Sequence, residues 1–251
     1  MKKKIVIGIV IVMIPFLILI LDHFVLNEDL HLDSFYDSSK EWSYITEHQN
    51  EYPLSLLKLA MHNKETIPFV AHYPQNSSKN LSMNVQDDLK TGGIPLLLQW
   101  DERWGYKNYG DNIMAINGCG PTCLSMVVSY LKQNGQYHPY CIAQFARGKG
   151  YYSESGTAWG LMNQGAKSFG IKVEELGLDE EVIKEKLTAK NPIICSVSKG
   201  TFTTEGHFIV LREYKNGLIY VNDPNSREKS QKGYTFKELK YQIKNLWAYS
   251  L

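Results

Sequence analysis

Net charge is what this sequence has least of: 27 lysines and arginines offset 26 aspartates and glutamates over 251 residues, a formal charge of +1. The only tight basic cluster is Lys2, Lys3 and Lys4. Without a basic field there is nothing to hold a phosphate backbone, so nucleic acid is excluded as the expected partner. Metal-binding spacing is also lacking. There is no H-x-x-x-H and no pair of C-x-x-C motifs, so no metal site is expected, and no cofactor-binding motif or ATP-binding P-loop is found either. Internal repeats and low-complexity tracts are missing as well, which removes solenoids and disordered arrays. What is present is 43 % apolar residues, enough for a packed core.

The one long apolar run is Ile5 to Leu21, uncharged and rich in β-branched residues and leucine. At about 1.5 Å per residue it approaches the roughly 30 Å hydrocarbon thickness of a bilayer. Lys2 to Lys4 precede it, and Asp22, Glu28 and Asp29 follow. Residues 1–24 are therefore expected to be an uncleaved anchor in the lipid bilayer, with a short cytoplasmic N-terminus and everything else outside the cell membrane. The alternative is a secreted protein whose signal peptide is removed, but no small-residue cleavage site follows the run. Residues 25–93 read as an extracytoplasmic helical stalk and linker. Leu54, Leu57 and Met61 stand at helical spacing in one or two helices, and His72 to Gly93 is a polar loop carrying two N-x-S sequons.

From residue 94 to 251 the elements become dense. Leu124, Val127, Val128 and Leu131 mark a core-facing helix that ends near Asn134-Gly135. A second helix is expected over Ala158, Leu161, Met162, Ala166 and Phe169, with Gly170 as its stop. A strand follows at Ile171 to Glu175, then a third helix from Asp179. "IICSV", "HFIVLREY" and "LIYVND" read as strands, "TFKELKYQI" as helical and "LWAYSL" as a last strand. A helical part followed by an antiparallel sheet is an α+β layout.

The chemistry concentrates in "NGCGPTCLSMVVSYL". Pro121 is tolerated only in the first turn of a helix, so the helix begins near Cys119 and the thiol sits at its mouth. Unpaired amides and the positive end of the helix dipole favour thiolate there. Gly118 and Gly120 are expected to clear the approach of a substrate backbone and to offer their amides to an oxyanion. Outside the cell an even count of cysteines suggests disulfides. Cys119 and Cys123 are poorly placed to join each other, and a bridge from Cys123 to Cys141 or Cys195 is the alternative left open.

A thiolate nucleophile needs a base and the base an orienting group. Of seven histidines only His207 opens a strongly β-patterned strand. Whether Asp223 can reach it depends on the hairpin at "YKNGL". A two-residue turn at Asn216-Gly217 would set Val210 opposite Asp223 and put His207 and Asp223 on opposite faces. A three-residue loop with Gly217 left-handed would set Ile209 opposite Asp223. His207 would then be a same-face diagonal neighbour at about 7–8 Å. The three-residue loop is expected. Trp159 is read as core rather than as a wall of the cleft.

"CGPTCLSMVVSYL", "GTAWGLM", "GHFIVLREYKNGLIYVNDPNS" and "QWDERWGY" together resemble family thirty-nine of the cysteine peptidases, particularly its stand-alone, extracytoplasmic members. The resemblance runs from about Ile94 to Leu251. It implies a papain-like fold, a nucleophile at Cys119, a base at His207, an orienting acid at Asp223 and an oxyanion-hole glutamine. Gln99 is the nearest match for the last, although in leader-processing members the glutamine lies only a few residues before the cysteine. The implied function is a membrane-anchored cysteine peptidase that hydrolyses a peptide or protein substrate outside the membrane through a thioester. The same residues would also suit acyl transfer or cleavage of peptidoglycan cross-bridges, and a catalytically silent envelope binding module is the non-enzymatic alternative.

Overall fold

A computed structural model of the protein describes Leu32, Phe35 and residues 37–153 and 156–251. The anchor expected over residues 1–24 lies outside the described residues. Among the described residues no helix is long and apolar enough to cross a membrane. The chain divides into two compact units, Met1–Ala71 and His72–Leu251.

Among the described residues of the first unit there are three α-helices, where one or two helices were expected. Helix α1, Lys40–Glu47, starts where the Ser39 side chain accepts from the Trp42 amide, and it buries Trp42 and Ile45. Helix α2, Leu54–His62, buries Leu56, Leu57 and Ala60, so its inner face is turned from the expected stripe and shares only Leu57 with it. Helix α3, Ile67–Ala71, packs on both, and the Tyr52 hydroxyl donates to the Ala71 carbonyl at 3.2 Å.

In the second unit, the segment expected as a polar linker is bound into the structure. His72 and Asn76 both contact the Glu102 carboxylate at 2.7 Å. Val85 and Leu89 are buried, and the Val85 amide donates to the Gly135 carbonyl. Arg103 bridges Asp88 and Asp101. The polar composition misleads because these polar side chains bond inside the unit rather than to solvent.

The core of this unit is a six-stranded antiparallel sheet in the order β5-β10-β6-β7-β8-β9. Its strands are β5 (Lys172–Leu176), β6 (Ile193–Val197), β7 (His207–Lys215), β8 (Leu218–Asn222), β9 (Gly233–Tyr234) and β10 (Ile243–Ser250). Both faces are covered, which is why β6 and the first half of β7 are buried at every position and are mostly apolar. Ile194, Phe208, Val210 and Trp247 pack with helix α4 (Cys119–Lys132) and helix α5 (Pro139–Gly148). Ile193, Cys195, Ile209, Leu211 and Leu246 pack on the other side with Ile183 of helix α6 (Glu180–Lys186), Phe202 and Leu239. Two short ribbons, β1–β2 (Asn108–Tyr109 with Asn112–Ile113) and β3–β4 (Tyr152–Ser153 with Gly156–Thr157), stand outside the sheet.

Two helices depart from expectation. The helix expected from Ala158 is a 3-10 turn at Trp159–Leu161 and a separate turn at Gln164–Lys167, interrupted at Asn163 with φ −104° and ψ −88°. Leu161, Met162 and Ala166 are nonetheless buried, so the periodicity reported burial correctly but not continuous winding. Helix α5 was not among the expected elements. Its N-cap acceptor is the Nδ1 of His138, which takes the Cys141 amide at 3.1 Å, in place of the usual Ser, Thr, Asp or Asn. Pro139 in the first turn was the readable signal.

Candidate active site

Cys119 is the first residue of α4 and follows the separate helical turn Met114–Asn117 with only Gly118 between them. Its amide is therefore among those the helix leaves without an internal acceptor. Packing requires glycine at both flanking positions. A Cβ at Gly118 would lie 2.4 Å from the Met114 carbonyl oxygen, and one at Gly120 would lie 2.7 Å from Thr157 Cγ2. The bend is tight because backbone and the β4 side chain close on it from both sides. All four cysteines are free, so neither anticipated bridge forms. Cys119 is partly exposed, whereas burial pushes the Cys123 thiol well up, followed by the charge of Cys119.

The hairpin brings His207 and Asp223 together, but not by the expected loop. Lys215 pairs with Leu218, so the turn is the two-residue Asn216-Gly217, with φ of 54° and 77°. That is a left-handed pair of the type I′ kind. Taken alone it would separate the two side chains. The ladder, however, shifts by one residue between Leu211 and Glu213, leaving Arg212 as a bulge, and beyond it Val210 pairs with Asn222. Extending that register sets Asp223 opposite Ile209 and returns His207 to the same face. The compensating residue is in mid-strand, not in the loop.

His207 Nε2 lies 2.8 Å from Asp223 Oδ1, and both side chains are buried. Asp223 is held by its own turn. Its Oδ1 also accepts from the Asn225 amide at 2.8 Å, and its backbone amide donates to Ser230 Oγ at 2.9 Å. Burial by itself would depress the His207 imidazole. The Asp223 charge and hydrogen bond, joined by a hydrogen bond and charge from Cys119, outweigh burial and raise it to about 10. With Nε2 turned to the carboxylate, Nδ1 is the ring nitrogen left for the sulfur. The ring is held between an acid and a thiol, and both favour its protonated form.

Gln99 returns to this neighbourhood through β1–β2, which folds the intervening residues back. Its backbone amide donates to Pro224, next to Asp223, at 2.7 Å. Its side-chain Nε2 donates to the carbonyls of Ala115 at 2.7 Å and Ile116 at 3.2 Å, just ahead of Cys119. The buried Oε1 has no hydrogen-bond partner among the described residues. The glutamine is therefore adjacent to the cysteine segment, with its donor engaged by backbone.

Cys119 and His207 open onto a cavity of about 440 Å³ whose walls include Tyr152, Thr157, Trp159 and Phe208. Trp159 is a wall and not core: it is 48 % exposed, with its ring edge-on to Trp247 at 5.7 Å. The sequence did not flag the residues that fix the near wall. Asn117 Nδ2 donates to the Tyr109 carbonyl and Asp111 Oδ1 and contacts the Tyr152 hydroxyl, which itself donates to Asp111. Tyr109 and Thr157 share a hydroxyl hydrogen bond of 2.9 Å. Gly110 leaves room for the Tyr152 ring, which a Cβ there would meet at 1.8 Å. No spacing rule connects positions 111, 117 and 152, although Gly110 beside Asp111 did mark a turn.

A family model described as the Peptidase_C39 like family matches residues 91–250. One similar solved structure is the peptidase domain of Streptococcus ComA, a bi-functional ABC transporter involved in quorum sensing. It is 20 % identical, covers 53 % of this chain and 91 % of that one, and has a TM-score of 0.42. A C39-like peptidase from Bacillus anthracis is 17 % identical, with coverage of 63 % and 94 % and a TM-score of 0.41. A double glycine motif protease from an AMS/PCAT transporter, solved with its leader peptide, is 20 % identical, with coverage of 63 % and 93 % and a TM-score of 0.41. No curated protein gives a significant match.

Proposed function

Because the chain belongs to the Peptidase_C39 like family and is thereby a cysteine-type peptidase, we propose that Cys119, His207 and Asp223 are its nucleophile, its acid–base and its orienting acid. The observation that carries this reading is the placement of one imidazole between the buried carboxylate at 2.8 Å and the cysteine at the mouth of α4.

The chemistry follows from those positions. The raised imidazole can hold the thiol's proton, so no separate base is needed to start the reaction. The Cys119 sulfur attacks the scissile carbonyl. The developing oxyanion is met by the Cys119 amide and by Gln99 Nε2, once the longer of its two carbonyl bonds, to Ile116, is exchanged for the substrate oxygen. His207 gives its proton to the leaving amine and a thioester remains. Neutral His207 then takes a proton from water, whose oxygen attacks the thioester; collapse releases the carboxylic acid and regenerates the pair. Asp223 keeps Nε2 protonated throughout, so that Nδ1 is the nitrogen that trades protons.

Lys2 to Lys4 followed by the uncharged run Ile5 to Leu21 supports an anchored enzyme whose substrate is a peptide or protein outside the membrane. The test of chemistry is alkylation of the purified chain by an electrophilic cysteine-peptidase probe alongside hydrolysis of a peptide library. Labelling at Cys119 that is lost in His207→Ala, with hydrolysis that falls by about 10³-fold or more in Cys119→Ala, is expected. Hydrolysis surviving in Cys119→Ala would overturn the assignment. Carbonate-resistant membrane fractionation combined with proteolysis from outside intact cells tests the location.

A further inference from the structure

The cleft has an uncompensated charge. Its lining includes two carboxylates, Asp111 and Glu205, and among the described residues that line it none is a lysine or arginine. The two acids come from different segments, one on the cysteine side of the chain and one on the histidine side. Asp111 is in the turn of β1–β2, hydrogen-bonded to Asn117 two residues before Cys119. Glu205 lies two residues before His207 and makes no ion pair among the described residues. Apart from His207, these two acids are the lining side chains that carry a formal charge at neutral pH.

Asp111 is not a loosely solvated surface acid. The Tyr152 hydroxyl and Asn117 Nδ2 both bond to its Oδ1, and the Tyr152 hydrogen bond, ahead of the others, holds its carboxyl below the ordinary aspartate range. The clamp is itself rigid, since the Tyr152 ring occupies the space above Gly110 and stacks edge-on against Tyr109 at 4.8 Å. An exposed carboxylate fixed in this way is organised before anything binds. On the same cleft, Trp159 presents a half-exposed indole packed edge-on against Trp247. A cleft that combines fixed carboxylates with an open aromatic ring suits the aliphatic stem and cationic head of a lysine or arginine, and does not suit an acidic side chain.

We infer that Asp111, Glu205 and Trp159 select substrates carrying a cationic side chain beside the scissile amide, a lysine, arginine or other amine-bearing residue. This rests on the reading of the cleft as a cysteine-peptidase site. Field lines of a cleft lined by one sign concentrate where the substrate enters, so the selection acts on encounter and on the bound state together.

Two measurements test it, and only one of them depends on turnover. The first is the rate at which Cys119 in the full chain reacts with cationic, neutral and anionic methanethiosulfonates. The cationic-to-anionic rate ratio is expected to fall by about tenfold in Asp111→Asn with Glu205→Gln, and to shrink with added salt. The second is kcat/KM on peptides with Lys, Gln or Glu flanking the cleaved bond. Lys is expected to exceed Glu by about tenfold or more, with Trp159→Ala lowering the Lys preference over Gln. An unchanged reagent ratio in the double variant, or equal cleavage of Lys and Glu peptides, overturns the inference. If the reagent ratio shifts as expected but Cys119→Ala still hydrolyses peptides, it is the peptidase assignment that fails and not the charge selection.

Discussion

Cys119 and His207 face one cleft, yet the two positions are reached by different routes. The cysteine wall is specified locally. Gly118, Gly120 and Pro121 fix where α4 begins, and the sulfur's place follows within one turn. The histidine wall is specified by register. His207 sits at one end of β7 and Asp223 beyond the far end of β8, and whether they meet depends on Arg212, one residue in mid-strand that contacts neither. A local code tolerates change elsewhere in the chain, whereas a register code fails completely for a slip of one.

The sharpest way to break this contrast is to delete Arg212. Restoring a regular ladder behind the two-residue turn would put His207 and Asp223 on opposite faces, and peptide hydrolysis is expected to fall by roughly 10³-fold. Arg212→Ala keeps the extra residue and is expected to stay within a few-fold of the native rate. Steady-state kinetics on the pair separates register from side chain, and equal rates for the two would refute the bulge argument.

Asp223→Asn is expected to have the next largest effect, a fall in kcat of roughly 10-fold to 100-fold, because the imidazolium loses its countercharge but retains an oxygen acceptor. The same variant sharpens the electrostatics. His207 is raised to about 10 in the folded chain from an ordinary value near 6.5. Between those values the folded state binds the extra proton, so the stability this provides is full below about pH 6.5 and is lost as pH rises through 10. Urea denaturation across that window should show a decline on the order of a few kcal/mol in the native chain, and a flatter profile in Asp223→Asn. Parallel slopes would mean that the pair does not set the imidazole.

The smallest effect is expected on the cysteine wall. Gly120→Ala drives a methyl into Thr157 and is predicted to cost about 1–3 kcal/mol of stability. Thr157→Ser, which removes the Cγ2 atom and keeps the hydroxyl bonded to Tyr109, should recover part of that loss in a double-mutant cycle by thermal melting.

The same division runs through what could be read in advance. Helix α6 was legible because Asp179 caps it in the usual way, accepting from the amides of Glu181 and Val182, and β6 because its apolar run has strand length. Helix α5 was not, since a histidine capped it, and the break at Asn163 lay inside an apolar pattern that tertiary burial alone would have produced. Segment 72–93 looked like a linker because its bonds to Glu102 and Arg103 join residues far apart in sequence, and composition cannot show a partner.

By itself the sequence singled out Cys119, His207 and Asp223 as candidates and fixed the helix mouth at which the thiol stands, the last because glycine, proline and short-range hydrogen bonding act within a few residues. Only the tertiary structure decided that His207 meets Asp223 through a bulge at Arg212 and that Tyr152 clamps Asp111. It also turned the amide of Gln99 toward backbone carbonyls. Those outcomes depend on side-chain direction and on contacts between distant positions, and a change of one residue in register or one rotation about a bond reverses them without altering any local pattern.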